Sequence, residues 1–140
     1  MSSLAQRVAD ALVKVVPGNL EAVDALRPLY DPAMIFQDPI QRLEGVERFL
    51  EMNHHLLHRM RKLEWEILGQ GGDDDNAFVE WTMKCSPKIG PAIEVSGVTR
   101  VRARGGKIVD HRDYWDVGEL IASAMPGGIK VLHLFRKPLA

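Results

Sequence analysis

His111 and Asp113 are the residues whose types and spacing are best suited to chemistry. They stand two apart in the run from Lys107 to Val117. Side chains alternate faces along a strand, so residues of equal parity share a face. Val109, His111, Asp113, Trp115 and Val117 then lie on one side, and Ile108, Asp110, Arg112, Tyr114 and Asp116 on the other. A carboxylate and an imidazole among Val and Trp are costly to desolvate unless they are paired. Such a pair is either a satisfied structural contact or a site, in which Asp113 would serve as base or water-holder. A second carboxylate, Asp38, ends a short apolar strand from Met34 and shares its face with Phe36. Two carboxylates in one apolar site can divide the donor and acceptor roles that acid–base catalysis requires.

Other side chains invite the same question. His54 and His58 stand at i and i+4, on one face of an expected helix. That spacing suits a metal, but no further Cys or His stands at a convincing ligand spacing. No metal is expected, and the two histidines read as hydrogen-bonding groups of a pocket. Trp81 and Trp115 can stack on a ligand ring or simply fill core. Cys85 reads as a small buried hydrophobe. Arg100, Arg102 and Arg104 alternate on one strand face, which reads as a solvated surface or a subunit contact.

The elements that must position these residues follow from patterning. Gly105 and Gly106 separate two alternating runs, and paired glycines supply the positive φ of a tight hairpin turn. The runs Ile93 to Arg104 and Lys107 to Val117 are therefore expected as antiparallel neighbours. Val95, Gly97 and Thr99 share one face of the first. Upstream, Leu4 to Val16 has helical spacing and Pro17-Gly18 stops it. Asn19 to about Leu26 is a second helix, ended ahead of Pro28. Gly45 to Arg61 is a third, with Phe49, Leu50 and Leu57 in its stripe. Leu63 to Leu68 and Ala77 to Cys85 are strands, the latter placing Val79, Trp81 and Met83 on one side. Gly69 to Asn76 reads as a loop, and Glu119 to Met125 as a short helix. Helices first, then consecutive strands, indicate an α+β fold. The expected form is a cone, a curved antiparallel sheet wrapped around the N-terminal helices with a pocket inside.

Composition narrows the function classes. The 140 residues suit one domain spanning the chain. Net charge is −1 with no polybasic block, so neither nucleic acid nor an anionic membrane is an indicated partner. No apolar run approaches the roughly 20 residues of a membrane span. The N-terminus lacks the pattern of a signal peptide. Cys85 is the single cysteine, which excludes an internal disulfide and fits a cytoplasmic protein. No Gly-rich dinucleotide motif stands in the sequence, and no cofactor is expected.

The order of elements resembles the nuclear transport factor 2-like superfamily, with its cystatin-like cone. That group contains the SnoaL-like polyketide cyclases, ketosteroid isomerases and limonene epoxide hydrolases. The resemblance is carried by Phe36-Gln37-Asp38-Pro39 with Gly45, and by Gly106-Lys107-Ile108 through Asp116. Similarity to the epoxide hydrolases implies that Asp113 holds a water. The other water ligands of that family, a Tyr and an Asn, fall on Phe36 and Asp38. Its Arg and second Asp fall on Trp81 and Met83, so this chain departs from the pattern there. Similarity to the ketosteroid isomerases implies Asp38, followed by Pro39, as base. Their oxyanion-hole Asp falls on Gly97, another departure.

The sequence therefore points to a small-molecule enzyme of the isomerase, cyclase or hydrolase kind. It would use Asp38 and Asp113 for general acid–base catalysis. Phe36, His54, His58, Trp81, Met83, Val95, Gly97, His111 and Trp115 would line a pocket for a small hydrophobic ligand. The alternative is a non-catalytic protein that binds such a ligand. A homodimer is expected through the outer face carrying Val98, Ile108 and Tyr114. The apolar tail residues Val131, Leu132, Leu134 and Phe135 are expected to cover the pocket mouth or a partner subunit.

Overall fold

The computed structural model describes residues 2–125. Ser3 caps the first helix, α1 (Leu4–Leu12), its hydroxyl accepting from the amide of Gln6. The stripe Leu4, Ala5, Val8 and Ala9 is buried. A one-turn helix α2 (Glu21–Asp24) and a 3-10 turn (Arg27–Leu29) lead into β1 (Tyr30–Asp38). Then follow β2 (Gln41–Glu44), α3 (Val46–Arg59), β3 (Met60–Gly72), β4 (Asn76–Pro87), β5 (Ile93–Arg104), β6 (Lys107–Trp115) and α4 (Val117–Ala124). Asp116 caps α4, accepting from the amide of Glu119.

The six strands form one curved sheet in the order β2-β1-β6-β5-β4-β3. Neighbours are antiparallel except β1 and β6, which run parallel. Helix α1 packs on β3 and β4, and α3 packs on β1 and β3. Phe49, Leu50 and Leu57 of α3 join Leu4 and Val8 of α1 and the inward side chains of the sheet in a single core. The expected α+β cone is what forms. The tail from residue 126 onward, including Val131 to Phe135, lies outside the described residues.

Several boundaries differ from the sequence reading, each for a physical reason. The segment Gly69 to Asn76 is not a loop: β3 and β4 continue through it to the pair Gly72 and Ala77. The turn is confined to residues 73–75, where the Asp73 carboxylate accepts from the amides of Asp75 and Asn76. Strand β1 begins at Tyr30 rather than Met34, and Gln41–Glu44 pairs back onto it as a hairpin. Helix α1 ends at Leu12, although Val15 beyond it remains buried.

The largest correction concerns Ile108. Gly105 and Gly106 both have positive φ, as the turn requires. Beyond the turn, Ala103 pairs with Ile108 but Arg102 pairs with Asp110. Val109 is therefore the extra residue of a β-bulge, which reverses the alternation. Ile108 points inward and is fully buried, so it is no part of an outer face.

Gly97 marks a close approach. A Cβ there would stand 2.7 Å from Trp81 Cη2 and 2.6 Å from the backbone oxygen of Tyr114. Gly97→Ala is expected to cost about 1–3 kcal/mol, because the indole must leave its position. Urea unfolding should show a lower midpoint at unchanged slope.

Candidate active site

Between the helices and the concave face of the sheet lies a cavity of about 250 Å³. Its walls are mostly apolar: Val8 and Leu12 from α1, Phe49, Met52 and Leu56 from α3, and Val95 from β5. Polar groups enter from the sheet side, where the strand registers bring them together. Phe36 of β1 pairs with His111 of β6, Val101 of β5 with His111, and Thr99 of β5 with Asp113.

His111 is buried and is held at both ring nitrogens. Nδ1 lies 2.8 Å from the hydroxyl of Tyr30, and Nε2 lies 2.8 Å from Oδ1 of Asp113. The rings of Phe36 and Phe49 stand 5.2 Å from the imidazole by centroid. Oδ1 of Asp113 also accepts from Thr99 Oγ1 at 2.7 Å, and Thr99 Oγ1 accepts from Trp81 Nε1 at 2.9 Å. The resulting chain is Trp81, Thr99, Asp113, His111, Tyr30. It is fully satisfied by neutral His111 with its proton on Nε2, which donates to Asp113, while Tyr30 donates to Nδ1. The carboxylate oxygen Oδ2 has no protein partner among the described residues.

Burial, and secondarily the negative charge of Asp113, hold the Tyr30 phenol well above its ordinary value. Tyr30 therefore remains a donor. The sign of the resulting pH dependence follows by linkage. The native state keeps a proton that the unfolded chain releases, so stability is intact below the unfolded phenol value of about 10 and falls as pH rises past it. Denaturation midpoints measured from about pH 8 to pH 11 should decline, and Tyr30→Phe should flatten that decline.

Asp38 sits at the cavity too, but its carboxylate is committed elsewhere. Oδ1 accepts from the amides of Ile40 and Gln41, and Oδ2 accepts from Gln41 Nε2 at 3.0 Å. This is an Asx turn closing the β1–β2 hairpin. No hydrogen bond joins Asp38 to Asp113 among the described residues.

The residues expected at the pocket divide cleanly. Phe36, Asp38, Trp81 and Met83 line the cavity, as do Val95, His111, Asp113 and Trp115. His54 does not: its Nε2 lies 3.2 Å from Asp24 Oδ1 at the surface. His58 lines a shallow outer groove beside Pro17 and Arg61. Both face away because Phe49, Met52, Asn53 and Leu56 occupy the inner side of α3. Gly97 lies under the Trp81 ring and gives it room rather than lining the space. Tyr30, Thr99 and Trp65 were not singled out by the sequence reading. Tyr30 shares the parity of Met34 and Phe36, and Thr99 that of Val95, so alternation carried a signal for both. Trp65 meets Trp81 edge to face at 5.3 Å and donates to the backbone oxygen of Val15.

The comparisons with known proteins agree with this architecture. A family model described as a SnoaL-like domain matches residues 14–111, more than half of the chain. No curated protein has a matching sequence. Among solved structures, an LEH-like epoxide hydrolase from M. tuberculosis is 18% identical with a TM-score of 0.69, over 91% of this chain and 93% of that one. A protein of ketosteroid isomerase-like fold from Catenulispora acidiphila DSM 44928, in complex with trimethylamine, is 18% identical with a TM-score of 0.71, over 85% and 93%. A de novo designed protein with a curved β-sheet is 19% identical with a TM-score of 0.58, over 79% and 82%. At such identities the likeness is one of fold, and one fold hosts many unrelated activities. The match along the sequence goes further, and by it this chain belongs to the SnoaL-like domain family.

Proposed function

We propose that this protein is an enzyme acting on a small apolar molecule held in the cavity, with Asp113 as general base. The observation that carries the reading is the asymmetry of the Asp113 carboxylate. Two donors fix Oδ1, while Oδ2 has no partner among the described residues and belongs to a residue lining the cavity. A base oriented by one oxygen and available through the other is pre-organised for proton transfer. His111 is the positioning residue and Tyr30 fixes its tautomer. Asp38, closed into its turn, orients Gln41 at the cavity rather than sharing a proton with Asp113.

The cavity lies just below the roughly 300–1,000 Å³ of drug-sized sites, which suits a compact substrate. The solved relative holding trimethylamine supports a small-molecule role for a cavity of this kind. The reactions in keeping with the family are isomerisation, cyclisation and hydrolysis of an epoxide. The test is a turnover screen of cyclic enones, epoxides and polyketide-like aromatics with wild type and Asp113→Asn side by side. Turnover by wild type alone supports the reading. Turnover by neither, with saturable binding to both, moves the protein to the second reading.

That second reading is non-catalytic binding of the same kind of molecule. It is favoured by the engagement of Asp38, which leaves one accessible carboxylate where the paired mechanism wants two. Two copies pairing through the convex face fit both readings, since Phe78 and Tyr114 are exposed there. Light scattering at micromolar concentration should then give twice the chain mass of 15.7 kDa. No helix among the described residues is long and apolar enough to cross a membrane.

A further inference from the structure

The charges and aromatic rings around the cavity are unevenly distributed. Among the described residues, the lining carries two carboxylates, Asp38 and Asp113, and no Lys or Arg. All three tryptophans of the chain, Trp65, Trp81 and Trp115, line it. Trp65 and Trp81 have committed their N–H groups to Val15 and Thr99, so they offer a ligand π-surface rather than a donor. The hydroxyls of Tyr30 and Thr99 are likewise committed, to His111 and Asp113.

His111 does not neutralise Asp113. With Nδ1 as the acceptor for the buried Tyr30 O–H and the ring proton on Nε2, the imidazole brings Asp113 a hydrogen bond and no charge. The negative charge thus remains on a carboxylate whose second oxygen has no partner among the described residues. Among the described residues this charge receives two neutral donors, Thr99 and His111, both on Oδ1, and the cavity lining offers it no Lys or Arg. Aromatic faces attract cations through their quadrupole, and they do so more strongly once desolvated. Both features repel an anionic ligand.

From this we propose that the ligand of this cavity is a hydrophobic amine bound as its ammonium. Its N–H would donate to Asp113 Oδ2, and its apolar body would lie among Trp65, Trp81 and Trp115. The proposal rests on the reading of the cavity as a ligand site and adds the class of ligand; it belongs with the non-catalytic reading, because the ammonium takes the oxygen that a general base would keep free. An ammonium brought by the ligand completes the ion pair, whereas a carboxylate or phosphate ester meets two carboxylates and, among the described residues, no Lys or Arg.

The test uses three probes that share a ring and differ in charge: benzylamine, benzyl alcohol and benzoate, titrated near neutral pH. Tryptophan emission reports binding directly, since every tryptophan lines the cavity. Benzylamine is expected to bind at least about tenfold more tightly than benzyl alcohol, and benzoate not to bind. Asp113→Asn should weaken benzylamine far more than benzyl alcohol, removing the preference for the amine. If wild type binds benzyl alcohol as tightly as benzylamine, the amine proposal is overturned and the cavity stands as a ligand site. If none of the three binds, the ligand-site reading falls and the amine proposal with it. The wild-type comparison decides the matter even should the variant fold poorly.

Discussion

Asp113→Asn is expected to lower kcat on the true substrate by about 10²–10⁴-fold, the usual contribution of a positioned general base. The amide keeps the shape of the carboxylate. Its oxygen can still accept from Thr99 Oγ1 and His111 Nε2, the two donors now on Oδ1. What disappears is the charge and the capacity to take a proton. KM for an uncharged substrate should therefore change little, which marks an interaction made in the transition state. The stability change should stay within about 2 kcal/mol, since both buried donors keep an acceptor. A loss of kcat with a native thermal unfolding curve supports the base. Unaltered kcat would assign Asp113 a structural role only.

Phe36→Ala carries the largest expected effect on stability. Phe36 is 1% exposed and stands first among the large fully buried side chains. Its ring lies 5.1 Å from that of Phe49 and 5.2 Å from the imidazole of His111, between the strand that bears Asp38 and the helix that roofs the cavity. Truncation removes both contacts and enlarges a space that is already hollow. The cost should be about 3–5 kcal/mol, the range for deleting a buried aromatic ring. Chemical denaturation measures it, and a cost under about 1 kcal/mol would mean that the ring is not packed as described.

Much of this arrangement was legible in the sequence because it rests on period and parity. The stripe Phe49, Leu50 and Leu57 oriented α3, and alternation set Trp81, Met83, Val95, His111, Asp113 and Trp115 toward one interior. The failures have definite causes. Alternation in β5 and in β6 placed odd-numbered residues inward on both strands. A two-residue turn pairing Arg104 with Lys107 opposes odd to even, so the two patterns conflict across Gly105 and Gly106. The bulge at Val109 reconciles them and turns Ile108 inward. Only by carrying the register across the turn could the bulge have been anticipated. His54 and His58 were misplaced because i, i+4 spacing defines a helix face without saying which way it looks. The apolar neighbours Phe49, Met52 and Leu56 decide that. Asp38 shared a face with Phe36, as expected, but Pro39 and Gln41 make it a turn former, and local amides took its oxygens. The Tyr30–His111–Asp113 relay brings together residues 81 positions apart through parallel pairing of β1 with β6, a long-range event with no local sequence signal.

The central claim is that Asp113 acts as a base toward a molecule inside the cavity, and it can be tested without the natural substrate. Cyclohexanone is compact, apolar and bears exchangeable protons beside its carbonyl. Their replacement by deuterium in heavy water can be followed by proton NMR with wild type and with Asp113→Asn. The account predicts saturable acceleration by wild type, lost in the variant and suppressed by a ligand that fills the cavity. Equal exchange rates for the two proteins, with cyclohexanone bound in the cavity of both, would contradict it.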